Sequence, residues 1–296
     1  MPTKLIKLSL WAAGIVAGVV LLLLILARPA PTHSFFSSLP NHPLVIAHRG
    51  GAKLWPENTL VGFHAASEIG VDLLEMDIHS SADGVLVVIH DDTVDRTTDG
   101  QGQIHDLSLA QIKRLDAGYH WTSDAGLSYP FRGQGIDIPT LEEVFSELSG
   151  YPMNIEIKQA EPSIVDQFCE MLRAHNMQER VLVASFDPAT LVDFRKACPE
   201  VATSTTSSEV RVMYFLSQVG LGSLYRPNAQ AVQVPEYSGN YHVINEKLLK
   251  AAHQKNLPVQ AYTINDVDDM RRFVEAGVDG LITDYPDLLI SLLKQE

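Results

Sequence analysis

Four short apolar runs in this sequence end on groups that ionise or carry protons. LVIA at 44–47 runs into His48 and Arg49, and LLEMDI at 73–78 carries Glu75 and Asp77. VLVVI at 85–89 stops at His90, while NIEI at 154–157 contains Glu156 and is followed by Lys158. Residues i and i+2 of a strand share a face, so Glu75 projects with Asp77 and Glu156 with Lys158. Three carboxylates without a neighbouring cysteine suit a hard, oxygen-seeking divalent cation, Mg2+ ahead of Ca2+. Arg49 and Lys158 offset part of the mutual repulsion, and the planar fork of an arginine matches a phosphate bidentately. His48 and His90 complete the set as a proton acceptor for a nucleophile and a proton donor for a leaving alkoxide. The chemistry these residues suit is metal-assisted cleavage of a phosphodiester. Two alternatives compete with it: a ring of ion pairs that stiffens the fold, and a barrel that binds a phosphorylated ligand without turnover. Seven convergent groups weigh against the first, and an acid–base pair has no use in the second.

Such groups meet only if the runs that carry them lie side by side. Beyond residue 43 about 250 residues remain, the usual size of a (β/α)8 barrel, whose reactive groups sit at the carboxyl ends of its strands. Further runs fit the same pattern: VLVAS at 181–185, AVQV at 231–234, VQAYT at 259–263, GLIT at 280–283 and, more weakly, VATST at 201–205. Amphipathic segments near 59–69, 141–148, 164–174, 188–197, 245–254 and 267–276 alternate with them, which implies a parallel sheet. The expected fold is therefore α/β, a (β/α)8 TIM barrel over 44–296. Nine runs compete for eight barrel positions. The link from Ile78 to Val85 is too short for a crossover helix. Residues 91–139 read as a small insertion after the third strand, with one short helix near 108–115.

Residues 8–27 contain no charge, and twenty apolar residues at helical rise span roughly 30 Å, a bilayer's hydrocarbon core. The expected organisation is a short tail at 1–7, one transmembrane anchor at 8–27, an extended tether at 28–43 and then the barrel. Lys4 and Lys7 favour a cytoplasmic N-terminus with the barrel on the opposite side. The alternative is a cleaved signal and a secreted or periplasmic product. Asp and Glu number 36 against 22 Lys and Arg, a net charge of −14, which disfavours nucleic acid as a partner and fits badly with broad adsorption to anionic lipid. No protein partner is implied. Cys169 and Cys198 read as buried free thiols. A chain that begins near Asn41 is expected to fold, because the first strand starts at Leu44.

The stretch IAHRGGAKLWPENTLVGFHAASEIGVDLLEMDIHSSADGVLVVIHDDTVDRTTDG resembles the glycerophosphodiester phosphodiesterase family. Its HRG, PENT, E-x-D and HDxTxxRTT elements come in that family's order, and NIEIK, Ser185-Phe186, YTIN and TDYP continue the likeness over roughly 44–290. The resemblance implies a barrel with a small insertion and phosphoric diester hydrolase activity that yields glycerol phosphate and an alcohol. It implies that His48 and His90 are the acid–base pair, that Glu75, Asp77 and Glu156 hold the metal, and that Arg49 and Lys158 contact phosphate. Glu57 of PENT is implied to support the site from behind, with helix capping as its alternative. Tyr262 stands where the family commonly has tryptophan and is implied to wall the substrate pocket. The apolar stretch at 212–225, with QAVQVP at 230–235, is similar to a membrane-tethered branch with lysophospholipase D activity, which would make a lysophospholipid the substrate. Its alternative is an ordinary barrel helix, with Met213, Phe215, Leu216 and Leu221 in the core. His64, His79, His105 and His120 read as structural or surface residues.

Overall fold

The computed structural model describes the backbone of residues 2–26 and 28–294, and the side chains of 11, 13–23, 25 and 28–294. The strands are β1 (Leu44–Ala47), β2 (Leu73–Ser80), β3 (Leu86–Val88), β4 (Met153–Ile157), β5 (Val181–Ala184), β6 (Ala202–Thr203), β7 (Val232–Val234), β8 (Tyr237–Ser238), β9 (Tyr241–His242), β10 (Val259–Ala261) and β11 (Gly280–Thr283). Eight of them pair in parallel in the order β6-β5-β4-β2-β1-β11-β10-β7. A parallel bridge from Ser204 to Ala231 joins the two ends of that order, so the sheet curls round to meet itself. The result is a TIM-like barrel.

The surplus run among the nine is VLVVI. Its core, β3, pairs antiparallel with β2, Ile78 against Val88, and stands outside the barrel. The weak run VATST is the true barrel strand β6, with a bonded neighbour on each side. The insertion therefore follows the third strand in chain order but the second strand of the barrel. Three helices precede it, α1 (Pro2–Leu26), α2 (Ser34–Ser37) and α3 (Leu60–Ile69). The insertion contains the four-residue helix α4 (Leu109–Ile112) and closes over its own core of Val87, Ile89, Val94, Ile104, Ile112, Ala117, Ile136 and Ile138.

The remaining helices, α5 (Leu141–Glu147), α6 (Val165–Ala174), α7 (Pro188–Ala197), α8 (Ser207–Gln218), α9 (Glu246–Gln254), α10 (Val267–Glu275) and α11 (Pro286–Leu293), cover the outside of the sheet. Strand alternation sorts the side chains into layers. Val45, Leu74, Met76, Ile155, Val183, Val232 and Leu281 face the helices in the main core, while Leu44, Ile46, Leu73, Leu182, Ala202, Ala231 and Ile282 fill the barrel floor. Above that floor Gln233 Nε2 donates to Asn154 Oδ1 at 3.1 Å and to Gln260 Oε1 at 2.9 Å. Two positions on from Leu73, Asn154 and Gln260 come Glu75, Glu156 and Tyr262.

The N-terminal segment departs from expectation. Residues 28–43 are not an extended tether: α2 places Phe35, with no exposed surface, among the floor residues. Ala30 N donates to Lys255 O at 3.0 Å, and Asn256 Nδ2 reaches Ala30 O at 3.1 Å and Thr32 Oγ1 at 2.8 Å. An apolar ring at the bottom of the barrel needs a lid, and Phe35 supplies it, so the folded unit begins before Asn41. The tail at 1–7 has no described side chains, and its backbone from Pro2 belongs to α1. Among the described residues no helix is long and apolar enough to cross a membrane; the expected anchor at 8–27 includes positions 8–10, 12, 24, 26 and 27, whose side chains lie outside the described residues. The cysteines are also corrected. Cys169 of α6 and Cys198 at the end of α7 form a disulfide, with Cα atoms 5.8 Å apart, a separation that a bridge spans. The two helices bring together residues that the sequence leaves 29 apart.

Candidate active site

The inward faces of β2 and β4 set the carboxylates. Asp77 lies in register with Glu156, and Glu75 with Asn154. Carboxylate oxygens of Glu75, Asp77 and Glu156 lie within 4.8 Å of one another, and all three side chains are buried or nearly so. Burial and the neighbouring Asp77 push Glu75 up to about 8. Burial raises Glu156 too, with Asp77 adding to the effect. Asp77 is held below the usual range: burial alone would raise it, but Lys158 at 3.1 Å and Arg49 at 3.5 Å outweigh that. Glu156 Oε1 sits 2.7 Å from Lys158 Nζ, yet it is buried and receives no aligned hydrogen bond. Crowded buried carboxylates with an unsatisfied oxygen fit a divalent cation, which would supply the charge the site lacks.

The turn after β1 aims two groups at this cluster. His48–Gly50 is a tight 3-10 turn in which Arg49 has φ 52°, and that left-handed backbone lets Arg49 N donate to Glu75 Oε2 at 2.7 Å. Gly50 follows at φ 80°, where a Cβ would meet the Phe63 ring at 2.9 Å, so the glycine is required twice over. His48 Nδ1 contacts Asp284 Oδ1 at 2.6 Å, just past β11. Burial lowers the His48 imidazole, but the Asp284 bond and the Glu75 charge overcome it, and its pKa ends above the usual value. Asp284 is itself fixed by Asn265, which donates to Oδ2 at 2.7 Å and accepts from the Asp284 amide at 2.8 Å.

His90 is arranged in parallel, with Nδ1 at 2.7 Å from Asp91 Oδ1. Here burial outweighs the raising effects of Asp77 and Asp91, and the imidazole falls below its usual value. Arg96 holds Asp91 at 2.7 Å and reaches Glu57 at 2.7 and 2.8 Å, and Glu57 in turn accepts from Arg49 at 3.0 Å. An unbroken polar chain thus runs from His90 through Asp91, Arg96 and Glu57 to Arg49. Glu57 is part of this chain and not a helix cap, since Thr59 caps α3. Tyr262 lies on the far wall, its ring 5.9 Å from that of Phe186, which in turn lies 5.4 Å from Lys158 Nζ. Burial and Glu156 push the Tyr262 phenol up to about 12.

All nine residues expected from the sequence therefore stand in one mouth or immediately behind it. Sequence reasoning passed over Asn58, whose amide donates to Asp77 Oδ2 at 3.0 Å, and Asp91, Arg96, Phe186, Asn265 and Asp284. Each lies within a motif already noted, and Asp284 directly follows an apolar run. Of the other histidines, His79 is bonded to the His90 carbonyl at 3.2 Å and His64 to Glu147 at 2.7 Å. The apolar stretch at 212–225 does not line the mouth. Met213 is core, as one alternative had it, and Leu216 is partly buried, while Phe215 and Leu221 are about half exposed on the outer flank.

Comparison with known proteins bears on the family and the fold. Residues 48–288 match the Glycerophosphoryl diester phosphodiesterase family. A relative from Caldanaerobacter subterraneus subsp. tengcongensis, named glycerophosphodiester phosphodiesterase, is 38% identical over 260 residues, covering 85% of this chain and 98% of the relative. A phosphodiesterase from Oleispira antarctica, solved with the product sn-glycerol-3-phosphate, is 29% identical with a TM-score of 0.69, covering 88% of this chain and 99% of its own. A glycerophosphoryl diester phosphodiesterase domain from Mycobacterium tuberculosis shares the fold, with a TM-score of 0.75 at 20% identity, over 86% of this chain and 100% of that one.

Proposed function

This chain belongs to the glycerophosphoryl diester phosphodiesterase family and is a phosphoric diester hydrolase, and on that premise we propose that it cleaves glycerophosphodiesters by metal-dependent catalysis with His48 and His90 as the acid–base pair. The observation that carries the proposal is geometric: two imidazoles, each held through Nδ1 by its own carboxylate, stand beside one cluster of three buried carboxylates, and the opposite displacements of their pKa values accord with divided roles. Paired groups whose pKa values are driven apart divide the acid and base roles between them. His48, tied through Nδ1 to Asp284, keeps its proton and delivers it from Nε2 to the departing alcohol oxygen. His90, tied through Nδ1 to Asp91, accepts at Nε2 the proton of the attacking water, or of a glycerol hydroxyl that first closes a cyclic phosphate which water then opens. Arg49 and Lys158 hold the phosphate oxygens, and Tyr262 with Phe186 forms the apolar wall beside the departing group. Glu75, Asp77 and Glu156 would hold the cation, Mg2+ ahead of Ca2+, which when bound withdraws charge from phosphate and glycerol oxygens. The products are glycerol phosphate and a free alcohol.

Soluble glycerophosphodiesters are the favoured substrates over lysophospholipids, because the exposed apolar residues of α8 lie outside the mouth. A membrane anchor at 8–27, with a cytoplasmic N-terminus and the barrel across the membrane, is supported by the absence of charge from that run and by Lys4 and Lys7 ahead of it. The Cys169–Cys198 bridge also fits an oxidising compartment, as would release after signal cleavage. Incubation of the purified full chain with glycerophosphocholine and with lysophosphatidylcholine, with Mg2+ or Ca2+ and then with chelator, tests the reading. Choline release from the first substrate that stops on chelation is expected. Absence of turnover with either substrate under every metal would overturn it.

A further inference from the structure

The outer face of α8 is apolar where a barrel helix normally meets water with polar residues. Val212, Phe215 and Val219 recur at helical spacing and are 54%, 50% and 70% exposed. The β8–β9 hairpin extends the strip, with Tyr237 and Tyr241 more than half exposed. The two elements are joined by rings: Tyr241 lies 5.9 Å from Tyr214 and 6.0 Å from Phe215. The strip runs the length of the barrel. It starts at the hairpin after the carboxyl end of β7, on the rim of the mouth, and ends with Leu221 at the opposite end. There α1 contacts the turn Gly222–Leu224, and its described side chains, including Trp11, Ile15, Val16 and Val19, are exposed.

Charge singles out the same flank. In a chain of net charge −14, Arg211 on α8, Arg226 after its following turn and Lys247, whose Nζ reaches Gln218 O at 3.2 Å, are exposed here. Of the nearby acids, Glu209 and Glu236 are paired with Arg195 and Arg272, while Glu246 at the start of α9 is exposed. Among the described residues Arg211 and Arg226 form no ion pair. Aromatic residues beside arginine and lysine suit the boundary between acyl chains and anionic headgroups.

We propose that this flank lies on an anionic bilayer surface, so that the barrel rests on its side with the rim of its mouth at the headgroups. The inference rests on the anchoring of residues 8–27 proposed above, because continuity with α1 is what selects a bilayer over another protein. Contact along α8 leaves the mouth open to soluble diesters while confining the enzyme to the membrane surface.

The test uses the full chain with vesicles of phosphatidylcholine and phosphatidylglycerol. Flotation with the vesicles first establishes anchoring. Single spin labels at Phe215→Cys, Tyr241→Cys and, as a control in the insertion, Leu127→Cys then report accessibility to oxygen and to a water-soluble nickel chelate. Labels at 215 and 241 should be shielded from the chelate and relaxed by oxygen, while Leu127, 88% exposed, shows the reverse. The double variant Arg211→Glu, Lys247→Glu should return the first two labels to water without loss of flotation. A chain that floats with all three labels equally open to the chelate would overturn the docking but leave the anchor. Dipolar coupling between labels on two copies would also overturn it, by showing that a second chain covers the strip. A chain that does not float would overturn the anchor and the docking together.

Discussion

Replacing Asp284 by asparagine keeps the side chain's shape and removes its charge. Asn265 continues to accept from the backbone amide of residue 284, so the turn after β11 stays anchored while the 2.6 Å contact to His48 loses its ionic character. A hydrogen bond to a charged group contributes about 1.5–3 kcal/mol, and about 1.4 kcal/mol is tenfold in rate, so kcat should fall about 10- to 150-fold. The pH profile carries the sharper sign. Burial lowers His48, and Asp284 with Glu75 overcomes this to raise it; removing the Asp284 charge lets the imidazole fall. Activity is lost at high pH when His48 gives up its proton, so the alkaline limb of kcat/KM moves to lower pH. The acid limb, set by protonation of His90, stays in place because His90 has its own carboxylate, Asp91. Choline release from glycerophosphocholine across the pH range at saturating metal measures both limbs. An alkaline limb that stays put or rises would refute the assignment of His48 as the acid held protonated by Asp284.

Glu75→Gln tests the electrostatic state of the cluster. A carboxyl raised from 4.5 to about 8 on folding binds more protons folded than unfolded, so the metal-free chain loses stability as pH rises through that window. The variant should therefore melt above wild type at pH 8 without metal and gain less from added metal; a lower Tm in both conditions would contradict this. Phe35→Ala opens the barrel floor and should cost about 3–5 kcal/mol in denaturant titration, with native-buffer turnover retained, and a chain starting at Asn41 should show a similar or larger loss; an unchanged midpoint would show that the plug is not seated. Arg96→Ala cuts the chain from Glu57 to Asp91 and should lower kcat with metal affinity by calorimetry unchanged. Loss of metal binding in that variant would place Arg96 in the metal site instead.

The site is legible in the sequence because it follows a strand's period of two. Spacing alone pairs Glu75 with Asp77 and Glu156 with Lys158, and sheet register then sets Asp77 beside Glu156. Asp284 obeys the same strand-end pattern, but its acid hides inside a closing motif whose likeness draws attention away from it. Asn58 and Arg96 act through loops, where no periodicity marks direction. In the fold, β3 and β6 exchange status for a physical reason. VLVVI has stronger strand composition than VATST, but the short link after Ile78 permits only an antiparallel return, and barrel closure recruits a weak strand through its neighbours. Phe35 sits among prolines and serines with no amphipathic pattern, so its burial depends on a cavity that exists only once the strands have closed. The disulfide likewise depends on the packing of α6 against α7.

His48→Ala and His90→Ala, with turnover of glycerophosphocholine and metal binding measured on the same preparations, test the central claim most directly. Loss of a general acid or base lowers turnover on the order of 10²–10⁴-fold, and because neither histidine belongs to the carboxylate cluster, calorimetric metal affinity should match wild type. Near-normal turnover in either variant, or a loss of turnover that merely follows a loss of bound metal, would contradict an acid–base pair flanking the metal site.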